Sequence, residues 1–107
     1  MLKERIVLLI ILLIAVFLRA NAGSESDWIK AGDKALAAQD HEQSILLYSK
    51  AIEEKPEHAL AYLKRAKAYQ ASGAFRKSAY DMQKAYQLDP VFFKSYLKTS
   101  KNYQFKN

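Results

Sequence analysis

From Ile6 to Leu18 the chain shows no polar position, and beyond residue 22 it changes to apolar positions spaced three and four apart on a polar background. Trp28 and Gly32, then Tyr62, Ala66 and Tyr69, fall at i, i+4 and i+7, so each set lines one side of a helix. Ser44, Tyr48 and Ala51 repeat the spacing, as do Ser78, Met82 and Ala85, with small residues where two helices come closest. The pattern predicts helices over 25–38, 41–54, 57–72, 75–88 and 90–104. Ser24 with Asp27 and Asp40 with Gln43 mark two starts, each first residue capping a helix while the later one reaches back to its amide. Gly73 marks a stop. Asp89 followed by Pro90 marks a third start, with proline at the one helical place where a missing amide costs nothing.

The leading segment reads differently. Lys3 and Arg5 precede the apolar run, and Ala20, Asn21 and Ala22 follow it with the small-residue spacing of a signal-peptidase site. Thirteen apolar residues rise about 20 Å as a helix, short of the ~30 Å hydrocarbon layer. Residues 1–22 are therefore expected to be a cleaved signal peptide, with an N-terminal membrane anchor as the alternative because Arg19 can snorkel to the interface. Either route places residues 23–107 across a membrane, periplasmic or secreted in a bacterium.

The part after residue 22 matches itself at a shift of 34. Ser44 falls on Ser78, Lys50 on Lys84, Ala51 on Ala85, Pro56 on Pro90, and Trp28 on Tyr62. The shift continues, since Tyr62, Leu63 and Lys64 recur as Tyr96, Leu97 and Lys98, Lys67 as Lys101, and Tyr69 and Gln70 as Tyr103 and Gln104. The units are 25–58, 59–92 and a capping helix over 93–105. In spacing and residue type they resemble the tetratricopeptide repeat, a helix-turn-helix unit of this length. Trp28, Gly32, Tyr48, Ala51 and Pro56 carry the likeness in the first unit, and Tyr62, Ala66, Tyr69, Met82, Ala85 and Pro90 in the second. Ala35, Ser44 and Ser78 depart from it. The resemblance implies an all-α fold of antiparallel helix-turn-helix repeats wound as a right-handed superhelix, five helices plus an N-terminal hydrophobic helix. It also implies a concave groove, lined by the first helix of each unit, that receives a peptide or helix of a partner protein.

The face opposite the packed stripe supplies the candidate groove residues: Ile29 and Asp33 in the first unit, Leu63, Lys64 and Lys67 in the second, Lys94, Leu97, Lys98 and Lys101 on the last helix. Lysines around leucines suit an acidic segment with apolar side chains. Charge agrees in sign, because Lys3, Arg5 and Arg19 less Glu4 give +2 of the formal +6, leaving +4 for the rest. Ile29 and Asp33 replace the basic and amide residues that a carboxylate clamp for chaperone tails would need. The alternative role is structural, as a subunit stacking end to end with another chain of an envelope assembly.

Other chemistry finds little footing. The absence of cysteine removes disulfides, thiolate metal sites and thiol nucleophiles. His41 and His58 lack a second ligand at helical spacing, so no metal is expected. No phosphate loop, nucleophile–His–acid set or cofactor motif is present, and no enzyme is expected. Tyr62, Tyr69, Tyr96 and Tyr103 are read as packing residues rather than base-stacking platforms, which argues against nucleic acid. The partner expected is a protein or peptide, membrane contact is confined to residues 1–22, and a homodimer is compatible with the pattern.

Overall fold

The computed structural model describes residues 1–100, without the side chains of 18–26. The described chain is all-helical: α1 Leu2–Ala37, α2 His41–Glu54, α3 Ala59–Ala71, α4 Phe75–Leu88 and α5 Pro90–Thr99, with no strand among the described residues. Cross-helix pairs give the directions. Trp28 meets Glu54 while Asp33 meets Tyr48, so α1 and α2 are antiparallel. Tyr69 meets Lys77 while Arg65 meets Asp81, so α3 and α4 are too. The Lys64–Asp33 pair joins α3 to α1, placing the first helices of the two hairpins side by side.

The helix ends follow from local chemistry. Asp40 caps α2 by accepting from the Gln43 amide at 3.2 Å, but its own amide already donates to the Ala35 carbonyl, so Gln43 has no amide to reach back to. Asp89 caps α5 by accepting from the Phe92 amide at 2.9 Å, with Pro90 at the first helical position. Helices α1 and α3 end alike. In each, the second residue past the cap donates to a carbonyl five back, Asp40 to Ala35 and Ala74 to Tyr69, and the residue before it has positive φ. That residue is Gly73 at φ 85° after α3 and, 34 positions earlier, Gln39 at φ 60° after α1.

Two expected boundaries are corrected, and a third lies beyond the described residues. Ser24 starts no helix: α1 runs through it without a break, because Ala20–Asp27 holds no proline and only one glycine, too little to stop a helix. The expected helix at 57 starts at Ala59, since Lys55, unlike Asp89 at the same register, offers no carboxylate cap and the chain turns through 56–58, the His58 amide donating to the Lys55 carbonyl. The last helix is described to Thr99, and its expected continuation to 104 lies outside the described residues. Between Leu2 and Phe17 the large apolar side chains of α1 stand 49–76% exposed. Among the described residues, no helix is long and apolar enough to cross a membrane.

Inside the first hairpin a small residue faces a larger one, as the stripes require. A Cβ on Gly32 would lie 2.5 Å from the Tyr48 ring, so only glycine fits beside this fully buried tyrosine. The second hairpin has Ala66 and Met82 at those positions, and the Ser78 hydroxyl donates to the Ala66 carbonyl at 2.8 Å. Trp28 is not interior. It is half-buried, its indole N–H donating to Glu54 at 3.0 Å and Lys50 lying 4.7 Å over its ring. Helix α5 closes the far side of α3, with Phe92, Phe93 and Tyr96 packed on Ala59, Tyr62, Leu63 and Ala85.

Candidate functional site

Helices α1 and α3 are held together by Asp33. One oxygen of its carboxylate accepts from the buried Tyr48 hydroxyl at 2.5 Å and lies 3.1 Å from the Lys64 ammonium, and the other accepts from that ammonium at 3.2 Å. Burial first, and the bond to Asp33 second, raise the Tyr48 phenol well above its ordinary value, so it stays a hydrogen-bond donor at any physiological pH. Tyr48 comes from α2, Asp33 from α1 and Lys64 from α3, so this node fixes the angle between the hairpins.

Beside it lies an open depression of about 470 Å³ lined by Asp33, Leu36, Ala37, Lys64 and Lys67. Its walls are the methyl and isobutyl groups of α1 and the lysine stems of α3. Lys64 is spent on Asp33, whereas Lys67 has no acidic partner among the described residues and gives the depression its charge. The arrangement can seat an apolar side chain and attract a carboxylate. Asp33 thus orients Lys64 as well as lining the wall.

The other expected groove residues separate from this place. Leu63 is corrected outright: it is fully buried in the core with Ala59, Tyr62 and Ala85. Its helix lies between α2, α4 and α5, and a helix covered on several sides is apolar around most of its girth. The alanines at 59, 61, 66 and 68, all buried, carried that signal in the sequence. Ile29 is half-buried on α1 and does not line the depression. Lys94 and Lys98 are exposed on α5 and Leu97 is half-buried there, away from it. Lys101 lies outside the described residues.

Sequence reasoning missed a second node. The Arg65 guanidinium donates to both oxygens of Asp81, at 2.7 and 2.8 Å, and to the Ser49 hydroxyl at 3.1 Å, tying α3 to α4 and α2. Asp81 is 1% exposed. The hydrogen bonds to Asp81 raise the Arg65 pKa further above its already high value. Along the helix, Arg65 has Tyr62 and Tyr69 on either side, its guanidinium carbon 5.7 Å from each ring centre. No protein-family model matches the chain.

Proposed function

We propose that this chain is an exported or membrane-tethered interaction module of the tetratricopeptide type, its units wound as a right-handed superhelix, which binds a peptide or helix of a partner protein between the first helices of its units. The observation that carries the reading is the basic, apolar-walled depression between α1 and α3, at Leu36, Lys64 and Lys67. The 34-residue register supports it by bringing the first helices of successive units side by side. The apolar stretch ahead of the first unit supports delivery to a membrane. A partner segment alternating acidic and apolar side chains fits best, since Lys67 supplies charge and Leu36 an apolar wall.

The test is a titration of the full chain, held in neutral detergent, with a blocked peptide alternating Glu and Leu. Lys64→Glu with Lys67→Glu is expected to weaken binding about tenfold or more, and 1 M salt to weaken the parent strongly, because the screening length falls from about 10 Å at 0.1 M to about 3 Å. Equal affinity of parent and variant sinks the reading. A second reading, end-to-end stacking in a larger assembly, draws on Val91, 80% exposed on α5. It requires association that salt leaves unchanged.

A further inference from the structure

On a different part of the α3–α4 hairpin lies a second depression, of about 320 Å³, lined by Arg65, Tyr69, Arg76, Lys77, Tyr80 and Asp81. It shares no residue with the one between α1 and α3. Its floor is the Arg65–Asp81 pair. Both oxygens of Asp81 and all three guanidinium nitrogens of Arg65 are engaged by that pair and by Ser49, so the floor is internally neutral. The site's net charge therefore comes from Arg76 and Lys77, both exposed at the start of α4. Lys77 leans toward α3, its ammonium 5.7 Å from the Tyr69 ring centre, and Tyr80 stands 65% exposed on α4, one turn beyond Lys77.

One exposed tyrosine ring, Tyr80, and one half-buried ring, Tyr69, against two cations make a mixed surface. Aromatic walls are wetted at a cost that an apolar side chain of a ligand removes. Cations at the rim attract a carboxylate and disfavour another cation. A ligand that satisfies both carries an apolar, preferably aromatic, side chain with acidic neighbours.

The composition of this surface is local to the second unit. At the 34 shift, Arg65 stands over Ala31, Tyr69 over Ala35, Tyr80 over Leu46 and Asp81 over Leu47, so the first unit has no counterpart. Packing does not require the change. Leu47 is nearly buried at the position where Asp81 must instead be neutralised by Arg65. The ion pair holds Arg65 between Tyr62 and Tyr69 and keeps a hydrogen-bonded floor of zero net charge beneath the cations. We infer that this α3–α4 depression is a second docking site, for an acidic peptide segment bearing an aromatic side chain, distinct from the groove between α1 and α3.

The test uses the full chain in neutral detergent and a blocked peptide of one Phe flanked by Asp and Glu, titrated by calorimetry. Arg76→Glu with Lys77→Glu is expected to lower affinity at least about tenfold, or to remove one of two equivalents where the groove also binds. Tyr80→Ser is expected to weaken binding to the same peptide more than to its Phe→Ser version. Both substitutions fall on exposed side chains, and an unchanged helical spectrum shows that the variants fold. The groove variant with Lys64→Glu and Lys67→Glu must retain this loss when combined with Arg76→Glu and Lys77→Glu. Failure of the groove variant alone to weaken binding then tells against the groove, and not against this site. Unchanged affinity in the Arg76→Glu, Lys77→Glu variant overturns the inference. So does displacement of the peptide by phosphatidylglycerol added to the micelles, which would make a lipid headgroup the ligand.

Discussion

The α1–α2 and α3–α4 hairpins occupy the same 34-residue register and hold their helices together by different means. The first uses shape: Gly32 lets the Tyr48 ring lie against the α1 backbone, and the ring's hydroxyl reaches Asp33. The second uses charge: Ala66 and Met82 replace that pair, and Arg65 spans to a buried Asp81 where the first hairpin has Leu47. Register thus constrains the sum of volumes across a helix pair more than the residue at any one place. A ring against glycine is one solution to that spacing, and the second hairpin, with alanine and methionine at the same register, uses another. The comparison also separates roles, because the charged solution leaves a basic, aromatic surface that the shape-based one does not.

The largest effect that would break this contrast comes from Arg65. Removing one partner of a buried ion pair leaves the other charge uncompensated, so Arg65→Ala is expected to cost about 3–5 kcal/mol, and Arg65→Leu with Asp81→Leu far less. Urea unfolding of the full chain in neutral detergent, followed by helical circular dichroism, reads both. If the double variant is as damaged as the single one, the pair is not an exchangeable alternative to the Leu47 solution. The next effect sharpens the shape side. Gly32→Leu must displace the Tyr48 ring and is expected to cost roughly 1–3 kcal/mol or more, with Tyr48→Met recovering part of it by recreating the second hairpin's combination. No recovery in the same unfolding assay would contradict the compensated-volume account. The smallest effect concerns the shared helix ends. Gln39→Gly is expected to stabilise by about 0.5–1 kcal/mol, and Gly73→Ala to destabilise by about 1 kcal/mol through backbone strain alone, since a Cβ there meets nothing within 4 Å. Shifts of the same sign for both would refute a common left-handed terminator.

Much of this fold was legible because periodicity and capping are local. The Asp40 and Asp89 caps, the Gly73 stop and the i, i+4 stripe on each helix all rest on residues a few positions apart. What stayed hidden depends on neighbours distant in sequence. Leu63 read as exposed because one helix wheel shows one stripe, whereas α3 is covered from more than one side. The Arg65–Asp81 pair breaks the repeat, so aligning the units removes it from view. Pro56 and Pro90 look equivalent, yet the residue before each decides whether a helix can start at once. Of the groove residues, Asp33, Lys64 and Lys67 meet because their helices adjoin, while those on α5 depended on a helix whose position the register alone does not set.

Helix α5 has ten residues and none of them is buried; its hold on the rest is the stacking of Phe92, Phe93 and Tyr96. Opening it exposes part of one cluster and leaves both hairpins closed, so its opening free energy lies below that of global unfolding. Its backbone amides then exchange with solvent through a partial opening rather than through loss of the whole fold. Any ligand that contacts Lys94 or Lys98 would tighten that opening equilibrium, coupling occupancy to order in the last described element of the chain.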